Sequence, residues 1–276
     1  MDAKVKFKET QELRGRDLSE FLESLYAAYT KEAFLPTDPV WWVHRYRDRG
    51  EQEVAGWVAA SLAVGKVGAI HRSLGILFER IHPGEVARLS YRDALRRLRG
   101  LSHRFFSSEM LASFLAATGE ILREWGDLET WAASCRDRAE GDMRKTFRLM
   151  SASFRECAPG DIGILLPLPR SGGPWKRVCL FLRWMVRRDA VDLGLWSSFP
   201  PESLLMPVDV HILRVSRRLG VAGLSASPSF RAAERITSFF RSLSPLDPLR
   251  YDFALTRWSM GVEASFVPKT GRTILH

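Results

Sequence analysis

The chain has 276 residues, 46% of them hydrophobic and 26% charged, and carries a formal net charge of +9. That balance fits a soluble globular protein with a sizeable core and excludes a disordered, collagen-like or disulfide-stapled chain. The 41 Lys and Arg against 32 Asp and Glu point to a polyanionic partner, nucleic acid first.

From the N-terminus, Leu18, Phe21, Leu22, Leu25 and Tyr26 form a helical stripe, with Asp17 as its expected N-cap. After the turn Leu35-Pro36-Thr37-Asp38-Pro39, a short aromatic segment runs through Trp41, Trp42 and Tyr46. Residues 53–65 are apolar nearly all round, which predicts a buried central helix. Ile70, Leu74, Leu77 and Phe78 mark the next helix, which stops before Pro83-Gly84. Two or three helices are expected over 91–131, broken near Gly100 and Gly126, and another over 147–154.

Prolines and glycines from Leu165 to Trp175 interrupt the pattern. A helix follows over about 175–187, with Pro174 in its first turn and Ser171 or Gly172 as its cap. Further helices are expected over 210–219, with Gly220 as the stop, then over 229–243 and 248–260. No alternating strand pattern appears, so the expected fold is all-α. It is read as a single helical domain over residues 1–276, with two lobes, roughly 34–160 and 161–262, and a cleft between them.

Cys135, Cys157 and Cys179 are isolated, and neither they nor the six histidines show ligand spacing. No metal, no cofactor and a reducing compartment are expected. Met1 to Lys6 is not an apolar leader, and the longest apolar runs, such as Trp57 to Val64, are far shorter than the ~20 residues needed to span a bilayer. A cytoplasmic, nucleoid-associated monomer is the expectation.

Two residues carry candidate chemistry. Lys176 stands at a helix start, where the dipole favours an unprotonated amine able to act as a nucleophile. Arg177, Arg183, Arg187 and Arg188 are expected to add positive potential around it. The alternative is a solvated lysine opening a basic helix. Asp209 directly precedes the helix over 210–219, so it caps that helix, presents a fixed carboxylate to a cationic group or a proton, or does both.

The run from Pro207 to Gly220, with Val208-Asp209-Val210-His211-Ile212-Leu213-Arg214-Val215, resembles the Val-Asp-x-His-apolar-x-Arg-apolar block of the helix-hairpin-helix (HhH-GPD) DNA glycosylase superfamily. The Lys–Asp separation, 209 − 176 = 33, is similar to the longer spacing of archaeal 8-oxoguanine DNA glycosylases. Residues 52–65, 176–196 and 251–255 look closer still to an uncharacterised bacterial family of unknown function placed in that superfamily. The resemblance covers roughly residues 34–262. It implies a base-excision glycosylase with abasic-site lyase activity on an oxidised purine such as 8-oxoguanine. Lys176 would be the Schiff-base nucleophile and Asp209 the assisting carboxylate. The partner would be double-stranded DNA containing a damaged base or an abasic site.

The resemblance also marks Asp252, 252 − 209 = 43 residues past Asp209, as a base-contacting acid, with an N-cap or a surface charge as the alternative. Trp184 and Trp258 are candidates to stack on an extruded base. One departure stands out. The superfamily's Leu-Pro-Gly-apolar-Gly hairpin is replaced by Leu166-Pro167-Leu168-Pro169-Arg170-Ser171-Gly172-Gly173-Pro174. Phosphate contacts are therefore expected from Arg170, Ser171, Gly172, Gly173 and Arg177. Loss of the usual glycines keeps open a second reading, a non-catalytic module of this fold that binds bent or damaged DNA.

Overall fold

Trp57 sits at the centre of the molecule and shows why the chain closes around its second helix. In the computed structural model, which describes residues 16–264, α2 (Arg49–Ser61) is buried along all of 53–61. The Trp57 ring stacks on Phe114 at 5.6 Å between centroids and meets Trp131, Phe154 and Phe181 at 5.0–5.8 Å. Those partners belong to four other helices, so one indole ties most of the fold together.

Around it lie α1 (Arg16–Tyr29), α3 (Val67–Arg80), α4 (Tyr91–Leu98), α5 (Ser108–Trp125), α6 (Leu128–Arg138) and α7 (Met143–Glu156). The C-terminal half supplies α8 (Lys176–Val186), α9 (Val210–Arg218), α10 (Phe230–Leu243) and α11 (Asp252–Ser259). No strand occurs among the described residues, only isolated bridges at His103–Phe106 and Arg188–Leu193. The all-α expectation holds at that level. The buried apolar residues form one cluster reaching from Leu18 to Trp258.

α8 packs against α2, and the approach is close because position 56 is glycine. A Cβ there would come within 2.9 Å of Met185 Cε. α11 contacts both α1 and α9, which fixes the start of α9 relative to the rest. Caps follow the sequence: Asp48, Ser107, Asp127, Asp142 and Ser229 accept the first amides of α2, α5, α6, α7 and α10.

Three local readings need correction. Asp17 lies inside the first turn of α1 rather than capping it, since the helix is already formed at Arg16. The cap of α8 is Trp175, not Ser171 or Gly172, and Pro174 precedes the helix. Trp175 has φ 52 and no side-chain cap bond; burial of its indole to 2% exposure, against Phe147, compensates for a left-handed backbone. The last helix starts at Asp252, not 248, because Asp247 to Arg250 form turns. The aromatic segment after Pro39 is a 3₁₀ helix, Pro39–Arg45, and further 3₁₀ turns occupy Glu32–Thr37, Pro83–Arg88 and Pro201–Ser203.

Candidate active site

Two helix starts meet at Lys176 and Asp209. Lys176 is the first residue of α8, and Asp209 is the N-cap of α9. Asp209 Oδ1 accepts from the amides of His211 at 2.9 Å and Ile212 at 3.0 Å, which fixes the carboxylate plane. The other oxygen, Oδ2, is thereby left for Lys176, whose Nζ lies 2.9 Å away. The cap and the lysine partner are the same residue acting through different oxygens. Burial alone would push the Asp209 carboxyl up. The Lys176 ammonium and the Ile212 amide outweigh it and hold the acid below its ordinary range.

This pair borders a cavity of about 130 Å³, walled by Thr37, Gly65 and Ile70 from the N-terminal half and by Pro207, His211 and Met260 from the C-terminal half. Arg183, Asp252, Asp38 and Arg257 also line it, and all four are buried. They belong to a chain of alternating charges. Arg183 Nε reaches Asp192 Oδ1 at 3.2 Å, and its Nη1 binds Asp252. Arg187 joins Asp192, Asp189 and Asp247, while Arg257 grips Asp38. Every member is countered, as buried charges must be. Two atoms remain without a hydrogen-bond partner, Arg183 Nη2 and Asp252 Oδ1. Burial pushes the Asp252 carboxyl up despite Arg183 beside it.

The expectation that Arg183 and Arg187 add bare positive potential around Lys176 is therefore overturned: neighbouring carboxylates neutralise both. Asp252 does line the same cavity as Lys176 and Asp209. It is neither cap nor surface charge, since Tyr251 precedes α11 and the Asp252 side chain turns to Arg183. Neither tryptophan candidate lines the cavity. Trp184 is wholly buried in α8, and Trp258 packs edge-on against Phe21 of α1 at 5.3 Å.

Beside Lys176 lies a second, shallower depression of about 470 Å³, bordered by Ile164, Leu168, Arg170, Ser171, Gly173 and Arg177 among others. Lys176 borders both spaces. Of the expected phosphate contacts, Arg170 is exposed. The Ser171 amide donates to Leu168 O at 2.8 Å, and the Gly173 amide donates to Ser171 Oγ at 3.1 Å. Gly172 O accepts from Phe230 N at 3.2 Å, tying the turn to α10. Arg177 donates to the carbonyls of Ser61 and Ile164, so it staples α8 to the preceding loop and to the end of α2. Burial pushes its guanidinium down to about 10.

Sequence reasoning missed Asp38, Arg257 and the structural part of Arg183. The available signal was the position of Arg183 in the run Val178-Cys179-Leu180-Phe181-Leu182-Arg183-Trp184-Met185-Val186: an arginine within a helix apolar on all sides demands a buried acid. No group of His, Cys, Asp and Glu able to hold a metal ion occurs among the described residues. No described helix is long and apolar enough to cross a membrane.

A family model described as "Protein of unknown function (DUF2400)" matches residues 38–261, a stretch that includes Lys176, Asp209 and the buried charges beneath them. The chain belongs to that family. No curated protein and no solved structure matches it.

Proposed function

We propose that this member of the DUF2400 family is a DNA glycosylase with associated abasic-site lyase activity. It would act on double-stranded DNA that carries a damaged base or an abasic site. The supporting observation is the 2.9 Å contact between Lys176 Nζ and Asp209 Oδ2 beside a cavity, with both residues at helix starts. In the lyase-type reaction the ammonium passes a proton to Asp209, and its freed lone pair attacks C1′. The C1′–N bond breaks, and its electron pair leaves with the base, which takes up a proton. Opening of the sugar ring gives an imine between Nζ and C1′. Loss of a C2′ proton then expels the 3′ phosphate by β-elimination. Asp209, held in place by two amides, is neutral once it has taken the lysine proton and faces the cationic sugar as an anion only after it has passed that proton on to the leaving base or to water.

The substrate reading, an oxidised purine such as 8-oxoguanine, rests on the resemblance of Val208 to Val215 and of the 33-residue Lys–Asp separation. The cavity has the scale of an engineered ~150 Å³ cavity that admits benzene. That is room for about one ring. In this reading, segments 34–160 and 161–262 are the two lobes facing each other across the site.

A second reading, a non-catalytic module for bent or damaged DNA, follows from the departure of this turn from the superfamily's hairpin. The Ser171 and Gly173 amides are used within their own turn rather than left for a phosphate. Single-turnover assays on duplexes bearing 8-oxoguanine and other damaged bases separate the two. Released base and a β-elimination product are expected from at least one lesion. Tight binding across the set with neither product would leave the binding module standing.

A further inference from the structure

His71 stands on α3 directly after Ile70, which lines the Lys176–Asp209 cavity. Both nitrogens of its ring are engaged, and the partners fix which one carries the proton. Trp42 Nε1–H, which can only donate, lies 2.9 Å from Nδ1. Pro36 O, which can only accept, lies 3.0 Å from Nε2. The imidazole is therefore neutral, protonated on Nε2 and bare on Nδ1.

Pro36 leads directly into Thr37 and Asp38, two residues of the cavity wall. That wall is held from two sides. From α11, Arg257 donates to Thr37 Oγ1 and to Thr37 O, both at 3.2 Å, and grips Asp38. From α3, His71 holds Pro36 O and, through Trp42, the 3₁₀ segment that follows. The charges around the imidazole disfavour a second proton on it. Arg45 lies over the rings of Trp41 and Trp42 at 4.8 and 5.5 Å, so an imidazolium would face another cation across two indoles. Asp38 favours the charged ring, but it is already paired with Arg257. His44, in the same 3₁₀ segment as Trp42, bonds Val191 O instead. On α3 itself Arg72 adds positive charge, His103 meets Ser73 on the opposite side, and Arg80 reaches the α4 carbonyls of Arg97 and Arg99. Burial holds the basicity of the ring below its ordinary range.

We propose that His71 is an acid-released latch on this wall: neutral, it bridges Trp42 to Pro36, and on taking a second proton at Nδ1 it gives up Trp42, so that the segment from Pro36 to Trp42 loosens beside the cavity. The incoming proton occupies the same lone pair that accepts the indole N–H, so bond and proton exclude each other. The bond to Pro36 survives, because Nε2–H still donates. Since the folded protein holds this proton less tightly than the unfolded chain, the latch stabilises the fold above the unfolded pKa of about 6.5. That stabilisation is lost as pH falls through the lower folded value. The latch belongs to the fold and stands independently of the DNA reading above.

The test uses the full-length protein without DNA. The Trp42 indole N–H signal, assigned by its loss in Trp42→Phe, and the His71 ring signals are followed by NMR while the pH is lowered. Both should move with one shared midpoint below about 6.5. The wall is read from the amides of Asp38, bonded to Leu35 O, and Val40, bonded to Asp38 Oδ1. Their hydrogen exchange, corrected for its intrinsic pH dependence, should quicken at least about threefold across that midpoint. Amides of α10, which supplies no residue to the cavity, should not follow. His71→Gln keeps an acceptor and a donor but does not titrate, so the step in exchange should vanish. Trp42→Phe removes the donor facing Nδ1, and His71 should then bind its second proton about three- to tenfold more tightly, the worth of one hydrogen bond. Should His71→Gln fail to fold, the wild-type signals and Trp42→Phe still decide. A Trp42 signal that stays put while His71 titrates, a midpoint at or above about 6.5, or equal exchange steps in wild type and His71→Gln overturns the latch.

Discussion

Asp209 divides its work between two oxygens, one on the amides of α9 and the other on Lys176. Asn caps helices about as well as Asp. The ion pair it would remove is partly solvated, with side chains 30% and 21% exposed, so Asp209→Asn should cost no more than about 1 kcal/mol. Base excision should fall by roughly two to four orders of magnitude, because the amide neither accepts the lysine proton nor faces the sugar as an anion. Single-turnover rates and melting curves on one preparation check both halves. Near-normal excision by a stable mutant would reduce Asp209 to a cap. The same residue sets a pH dependence. Its folded-state acidity is held below the ordinary carboxylate value, so its contribution to stability is present above an unfolded pKa of about 3.9 and is lost as pH falls through the lower folded value. The stability gap between wild type and Asp209→Asn, from urea titrations, should therefore narrow as the solution is acidified below about pH 4. A gap that widens would contradict the assignment.

Among the elements, α8 carries both the candidate nucleophile and the foundation beneath it. Arg183, two turns in, holds Asp252 and Asp192 at 1% exposure. Arg183→Met should destabilise the protein by about 3–5 kcal/mol, since it strands the carboxylate of Asp252 in the interior. Urea unfolding at neutral pH reads this, and a loss under about 1 kcal/mol would mean that Asp252 is relieved by taking up a proton. The apolar stripes made most helices legible: the all-round burial of α2, the Gly126 break before α6 and the Gly220 stop after α9 follow from spacing and caps. The start of α8 was legible to within a residue but its cap was not, because Trp175 is held left-handed by the packing of its indole, a tertiary effect. The 3₁₀ segments of three to seven residues are too short for their periodicity to show. At the site, Lys176 and Asp209 were readable from motif and spacing. Of the buried charges only Arg183 left a signal, its apolar surroundings within α8; which acids meet it, as distant as Asp252, was not readable.

For the molecule as a whole, the net charge of +9 is in keeping with the anionic partner proposed above. The core argues for a firm platform, since Trp57 and its ring partners join α2, α5, α6, α7 and α8. In the proposed reaction, what such a platform does is decided at a single atom, Lys176 Nζ. Wild-type protein would be reduced with borohydride in the presence of an abasic-site duplex, and the digested adduct examined by peptide mass spectrometry. The expected result is the reduced sugar attached to Lys176, with no adduct from Lys176→Gln although that variant still binds the duplex. An adduct on a different amine, or none from the wild type, would remove Lys176 from the chemistry.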